Sequence, residues 1–305
     1  MKSMPKLSHL TTFKEIVYCG SLHETSKKLA ISQPTLSRII KELEENIGSR
    51  LLERSNRGVR LTAVGEAFFQ RIDAITNELR NTIYEFRGLK ETGEKFLRLG
   101  MSTYPLLCYL PDALEIFNQR YPHSRIIVIE DCPEGLVAKL RNNELDLVVC
   151  NLSEGINCVD LVTQDFKCET FSLYQGNNQS SDELPLDDTK WVVPHSCTAG
   201  RLAMQDSSFP CTQQGNVVET DSFLATWCLV KQQGYLALLS DHIVAHYSPQ
   251  LNLKKKSAED INISACFYII KRDEPMTSSI TNDFTENPDG DVNTRKITWR
   301  SGASA

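Results

Sequence analysis

The chain has 305 residues, of which 41% are apolar and 24% charged; that is the composition of an ordinary globular protein and excludes disordered, collagen-like and fibrous classes, while domains of about 150 residues predict two of them. Residues 1–90 hold 15 Lys and Arg against 10 Asp and Glu, and the rest hold 18 against 29, so a basic amino-terminal segment precedes an acidic body, as expected when one end meets a polyanion. No run of about 18 apolar residues occurs and residues 1–10 lack the apolar core of a secretory signal, which excludes a membrane span and points to the cytoplasm.

Helical spacing opens the chain. Leu10, Phe13, Ile16 and Val17 share one face of a first helix that ends at Cys19 and Gly20. Ser21 caps a second helix through Leu29, with Glu24 as its capping-box partner, and Ala30 and Ile31 make a tight turn. Ser32 caps a third helix with Pro34 in its first turn; Leu36, Ile39, Ile40, Leu43 and Ile47 point inward, and Gly48 closes it. Three short helices with a tight turn between the second and third predict a helix-turn-helix. Residues 51–61 read as a hairpin wing turning at Ser55, Asn56, Arg57 and Gly58. Thr62 then starts a long helix in which Phe68, Ile72, Ile75, Leu79, Ile83 and Phe86 keep a coiled-coil spacing. A partner helix would cover that stripe; packing on the chain's own body is the alternative.

After Thr92 and Gly93 strands alternate with helices: strands at 96–100, 125–130 and 145–150, helices at 111–121 and 134–141. The pattern pauses over 150–166 and resumes with strands at 169–174, 191–193, 217–219 and 235–239, a helix at 222–231 and a returning strand at 267–270. Such alternation predicts a parallel sheet covered on both faces, here as two linked α/β lobes rather than one sheet. Beyond Arg272 the apolar period is lost, and a loose tail is expected.

The third helix presents Gln33, Thr35, Ser37, Arg38 and Lys41 outward. A helix fits the DNA major groove, where Gln pairs with adenine and Arg with guanine; the same face also suits plain solvation. Arg54, Arg57 and Arg60 on and beside the wing turn tip the balance, because long cations there reach phosphates or a narrow minor groove. Arg57 is expected to anchor while Gln33 and Arg38 read.

The run LAISQPTLSRIIKELEENIGSRLLER from Leu29 to Arg54, followed by RGVRLTAVGE, resembles the amino-terminal signature of the LysR-type bacterial transcriptional regulators over about residues 7–90. ELDLVV from Glu144 and ETDSF from Glu219 resemble that family's effector domain more loosely. The resemblance implies a winged helix-turn-helix DNA-binding domain over residues 1–61, a linker and dimerisation helix over 62–92, a two-lobed α/β effector-binding domain like periplasmic binding proteins over 93–282, and the tail at 283–305. It further implies double-stranded DNA and a small-molecule effector as partners, assembly as a homodimer or homotetramer, and contact with RNA polymerase. By position, Gln33, Pro34, Ser37 and Arg38 match base, sugar or phosphate contacts, Arg54 the wing arginine and Ser32 the cap. Thr25 and Ser26 stand where the family has paired alanines.

In such a domain ligands bind near the carboxyl ends of strands. The resemblance turns Ser102 and Thr103 toward a polar or anionic effector, with helix capping as their other role. His195 and Ser196 fall where family members supply cleft residues, or in a plain loop, and Thr220 sits at a strand end as ligand contact, hinge or cap. The ten cysteines form no CxxC pair and no close Cys/His cluster, so no metal, cofactor or disulfide framework is expected. Cys197 and Cys211 offer a thiol-sensing alternative, since a peroxide-sensing branch of the same family uses two cysteines in roughly that region. An enzyme or simple solute-binding protein on the α/β domain is the competing class; without a glycine-rich phosphate loop, a GxSxG elbow or a metal motif, and with the basic segment to account for, the expected function is a non-enzymatic, sequence-specific regulator.

Overall fold

The computed structural model describes residues 4–55, 58–91, 95–153, 155–177, 189–195, 217–256 and 263–273. The chain divides into two compact units, residues 1–87 with 142–144, and residues 88–141 with 145–305.

The first unit runs α1 (Leu7–Cys19), α2 (Leu22–Leu29), α3 (Gln33–Ile47), β1 (Leu52–Ser55), β2 (Gly58–Leu61) and α4 (Ala63–Glu91). Phe13 and Ile16 of α1 meet Leu36, Ile40 and Leu43 of α3 and Leu51 in one buried cluster, with Leu10, Val17, Phe68 and Phe69 packed around it. Gly20 ends α1 at φ 63°, and Ala30 ends α2 at φ 54°. Ser21 caps α2 as expected, but its Oγ accepts from the His23 amide and Glu24 pairs with Lys27, so no capping box forms. The hydroxyl of Thr25, which is fully buried, donates to the Ser21 carbonyl at 2.8 Å and is therefore satisfied. On α3 the inward face is narrower than its apolar residues: Ile39 is half-buried, and Ile47, in the last turn, is 37% exposed.

The wing is a two-stranded antiparallel hairpin with Leu52 opposite Leu61 and Arg54 opposite Val59. Thr62 joins it to α4, its Oγ1 accepting from the Gly65 amide at 2.9 Å and donating to the Arg50 carbonyl at 2.8 Å. The α4 stripe divides. Phe68 packs 5.7 Å from the ring of Phe13 and Ile72 is 6% exposed, so these two serve the chain's own core instead of the expected seam. Ile75, Leu79, Ile83 and Phe86 are 56, 39, 44 and 69% exposed. The first turns of α4 lie against α1, and only beyond them does the apolar face look outward.

The second unit contains β3 (Lys95–Met101), α5 (Thr103–Cys108), α6 (Leu110–Arg120), β4 (Ser124–Glu130), α7 (Pro133–Arg141), β5 (Leu147–Asn151), β6 (Leu161–Gly176), β7 (Lys190–Val193), β8 (Val217–Glu219), α8 (Phe223–Gln233), β9 (Tyr235–Ser240), α9 (Asp241–His246), α10 (Ser248–Leu251), β10 (Leu253–Lys255) and β11 (Ile263–Arg272). The strands follow one hydrogen-bonded path, β4-β3-β5-β11-β6-β9-β7-β8, with β10 on β6. The two expected α/β lobes form the two ends of this path, and what the sequence did not predict is that antiparallel strands join them. β3, β4 and β5 are mutually parallel, as are β7, β8 and β9, but β6 and β11 run antiparallel to each other and to their neighbours. The chain leaves the first half of the sheet along β6 and returns along β11, so the two must run in opposite directions. The expected pause over 150–166 shrinks to 152–160, since β5 ends at Asn151 and β6 begins at Leu161.

The ten thiols are not all free. Cys168 of β6 and Cys266 of β11 face each other in register, 98 residues apart in sequence, and are joined by a disulfide. The expectation of no disulfide fails here because cross-strand register, not sequence spacing, brings them together. Cys197, Cys211 and the predicted tail at 283–305 lie outside the described residues.

Candidate nucleic-acid interface and ligand site

Three devices hold the amino-terminal half of α3 outward. Ser32 caps it, its Oγ 3.4 Å from the Thr35 amide and 2.8 Å from Thr35 Oγ1. Leu36, Ile40 and Leu43 pin the opposite face into the core. Gln33 Nε2 lies 3.1 Å from His23 Nδ1, which ties the start of α3 to α2. The face that remains carries Gln33, Pro34, Arg38 and Lys41 exposed, with Thr35 and Ser37 half-buried. The Arg38 and Lys41 side chains are 73% and 78% exposed, and each is only loosely paired one turn on, with Glu42 at 3.9 Å and Glu45 at 3.8 Å. Ion pairs this exposed and long contribute little, so both cations are available to a polyanion.

The wing is fastened to the same helix. Glu44 Oε1 accepts from the amides of Leu51 at 2.8 Å and Leu52 at 3.1 Å, fixing where β1 begins relative to α3. The Val59 amide donates to the Gly20 carbonyl at 2.9 Å, fixing β2 against the end of α1. Arg54 stands on β1 opposite Val59, Arg60 is exposed on β2, and Arg57 lies outside the described residues. The sequence reading missed His23 and Glu44. Both look like ordinary surface polar residues, and only the spatial neighbours of α3 and β1 give them a positioning role.

In the α/β unit, Ser102 and Thr103 follow the carboxyl end of β3. Ser102 is 6% exposed, and its Oγ has no hydrogen-bond partner among the described residues; the same holds for Nδ2 of Asn151, the last residue of the neighbouring β5. Ser102 precedes α5 without capping it. Thr103 behaves differently: its hydroxyl donates to Glu130 Oε1 at 2.7 Å, which leaves it only acceptor capacity beside a carboxylate and argues against an anion at that position.

His195 and Thr220 belong to the other half of the sheet, past the carboxyl ends of β7 and β8. His195 is exposed, with Nδ1 2.9 Å from Glu219 Oε2 and its amide donating to Asp221 Oδ1 at 3.0 Å. Thr220 donates its amide to the Val193 carbonyl at 2.9 Å, and its Oγ1 accepts from the Ser222 amide at 3.2 Å, a turn-forming role. Ser196 lies outside the described residues.

A buried polar cluster that the sequence did not signal links α5 to α9. Tyr104 Oη lies 2.9 Å from Tyr109 Oη and 3.0 Å from His242 Nδ1, and Tyr109 Oη donates to Glu169 Oε1 at 3.0 Å. Burial, reinforced for both by the Glu169 carboxylate, raises the two phenols well above the ordinary tyrosine range, so they stay protonated and donating. Among the described residues no group of acidic, His and Cys side chains is arranged to hold a metal ion.

Comparison with known proteins agrees with this geometry. Residues 7–66 match the model of the bacterial regulatory helix-turn-helix protein, lysR family, and residues 91–286 match the LysR substrate binding domain. The chain is 24% identical over 245 residues to the HTH-type transcriptional regulator TdcA of Escherichia coli, covering 77% of each chain. It is 28% identical over 247 residues to the regulator CrgA of Neisseria meningitidis, covering 77% of this chain and 71% of that one. Among solved structures, CbnR, a LysR family transcriptional regulator, superposes with a TM-score of 0.63 at 16% identity, covering 92% of this chain and 96% of that one.

Proposed function

The chain belongs to the LysR family of bacterial transcriptional regulators and is a DNA-binding regulator with an effector-binding domain, and on that premise we propose how its residues divide the work. Residues 1–61 read a specific duplex sequence, 62–92 pair subunits, and 93–282 sense a small molecule. Gln33 and Arg38 read base edges in the major groove. Ser32, Pro34, Thr35, Ser37 and Lys41 contact sugar and phosphate around them, and Arg54 and Arg57 hold the backbone from the wing. The observation that carries this reading is the outward face of α3, whose cations are open to a partner while Leu36, Ile40 and Leu43 on its opposite face are buried. Two recognition helices per dimer then enter successive major grooves with centres about 34 Å apart.

The effector is a small polar molecule that satisfies Ser102 Oγ. An unpaired buried hydroxyl costs about 1–3 kcal/mol, so a ligand group that bonds it gains selectively in the bound state and shifts the conformational balance only by that differential affinity. The domain binds its ligand without transforming it. The protein works in the cytoplasm as a homodimer or homotetramer and acts on RNA polymerase.

The test is fluorescence anisotropy of the full chain on duplex from upstream of its own gene, against scrambled duplex, across a salt series. Preference for the cognate duplex with a steep salt dependence is expected, and Arg38→Ala lowers affinity for that duplex by about 1–3 kcal/mol while leaving scrambled DNA nearly unaffected. Equal affinity for both duplexes at every salt concentration overturns the reading.

A further inference from the structure

We propose that Cys168 and Cys266 are a reversible dithiol–disulfide couple, a redox modification site on a two-strand neck of the α/β unit. The neck is defined by register. β11 pairs with β5 only over residues 267–270, and β6 pairs with β9 only over residues 171–174. Between those limits, residues 168–170 and 264–266 have only each other as strand partners among the described residues, and the two cysteines sit directly opposite there, Cα to Cα 3.9 Å. A covalent cross-link here acts where each strand has a single strand partner.

Alternation along the strands sorts the two faces. Cys168 and Cys266 share one face with Thr170 and Ser264; Cys168, Thr170 and Ser264 are exposed and Cys266 is half-buried, so the pair lies on a face that solvent reaches. Their sequence neighbours take the other face. Glu169 accepts from Tyr109, and the Phe267 ring, 1% exposed, lies 4.6 Å from that of Tyr104. Cys168 is thus one residue from a member of the buried tyrosine cluster, Cys266 is one residue from a ring packed against it, and Tyr104 is in turn two residues from Ser102. Cross-linking holds Glu169 and Phe267 at one separation; reduction releases it, and the first turn of α5 feels the difference.

The exchange partner is a low-molecular-weight disulfide. The Cys168 thiolate attacks one of its sulfurs, forming a mixed disulfide and expelling one small thiolate. The Cys266 thiolate then attacks the Cys168 sulfur, closing the protein disulfide and expelling the second. The protein thiols lose two electrons and two protons, the small disulfide gains both as two thiols, and a dithiol reductant reverses the sequence. Two buried cysteines do not compete well. Burial pushes the Cys108 thiol up to about 12 and raises that of Cys150, so both stay protonated at neutral pH.

This pair is independent of Cys197 and Cys211, and its test needs no DNA, so a chain that fails to bind any duplex would refute the proposed function and leave this site standing. The full-length chain is equilibrated across ratios of oxidised to reduced glutathione, quenched, alkylated and mapped by mass spectrometry. Cys168 and Cys266 are expected to lose alkylation together, in a single two-electron transition, and to appear as one cross-linked peptide pair. Amide hydrogen exchange at residues 168–170 and 264–266 is expected to slow by about threefold or more on oxidation, and this difference is expected to vanish in C168V/C266V, or in C168S/C266S should the valine pair not fold. Independent alkylation of the two thiols at every ratio, a bond that only unfolding allows reductants to break, or exchange at the neck that ignores oxidation each overturns the proposal.

Discussion

Lys14 illustrates how much of the amino-terminal unit depends on single side chains. Its Nζ lies 2.6 Å from Asp73 Oδ1 and 2.6 Å from Thr76 Oγ1, and the Lys14 and Asp73 side chains are 8% and 4% exposed. The pair joins α1 to α4 where neither charge has much access to water, so removing one partner strands the other. Lys14→Met is expected to destabilise this unit by about 3–5 kcal/mol, and Lys14→Met with Asp73→Leu to recover part of the loss, because exchanging a buried pair for apolar groups is close to neutral while Tyr18 and Asn77 lose their acceptor. Urea denaturation of the three proteins measures both. Tyr18 adds a pH-dependent element. Its hydroxyl donates to Asp73 at 2.9 Å, and burial together with that carboxylate raises its pKa from 10.0 to about 12. A group whose folded pKa is raised gives its full contribution below its unfolded value and loses it as pH climbs toward the folded one. Stability of the first unit should therefore fall between pH 10 and 12 more steeply than in Tyr18→Phe, as read from melting temperatures across that range; parallel curves would exclude the bond.

At the scale of elements, turns set the arrangement of helices. Ala30 ends α2 at φ 54° and ψ 36°, a left-handed conformation that costs a residue with a Cβ about 1–2 kcal/mol. Ala30→Gly is expected to raise stability by about 1 kcal/mol, less the entropy that glycine loses on folding; a fall in melting temperature would show that the alanine side chain makes a compensating contact. Gly65 works the other way: a Cβ there would stand 2.0 Å from the Leu51 carbonyl oxygen, so α4 approaches the wing this closely only with glycine. These elements were legible in the sequence because α1, α3 and the start of α4 each bury one face, giving a clear helical period bounded by Ser32, Gly20, Gly48 and Thr62. The neck was not. The first ten residues of β6 are exposed or half-buried while its last six are buried, so apolar alternation marks only the far end of the strand. The polar face of α3 could be read from periodicity alone, whereas Ser102, which the resemblance already placed toward an effector, was set apart from Thr103 only by its burial without a partner, and Cys168 with Cys266 emerged only from a register set by residues 98 apart. Phe68 and Ile72 mislead for the opposite reason: helical spacing shows that a stripe is apolar but not which protein surface covers it.

At the scale of the whole molecule, the remainder of that stripe asks for a partner. Ile75, Leu79, Ile83 and Phe86 follow one another at intervals of three and four on α4, all more than a third exposed. An apolar seam of this kind on a long helix is covered by a second helix of the same kind, since a/d-type knobs fit the holes of a matching neighbour. Under the proposed pairing, a second copy of α4 would supply that neighbour and bring two reading heads onto one duplex. Once the first head is bound, the second faces its half-site at a high effective concentration, so pairing raises affinity without a new contact. Ile75→Ser with Leu79→Ser leaves the core around Phe13 and Ile72 intact while making the seam polar. Sedimentation equilibrium should show self-association weakened by at least about tenfold, and affinity for a two-half-site duplex should drop toward that for a single half-site, with circular dichroism unchanged. A variant that remains fully associated would place subunit pairing on another surface, and one that is monomeric yet binds the long duplex undiminished would separate dimerisation from DNA recognition.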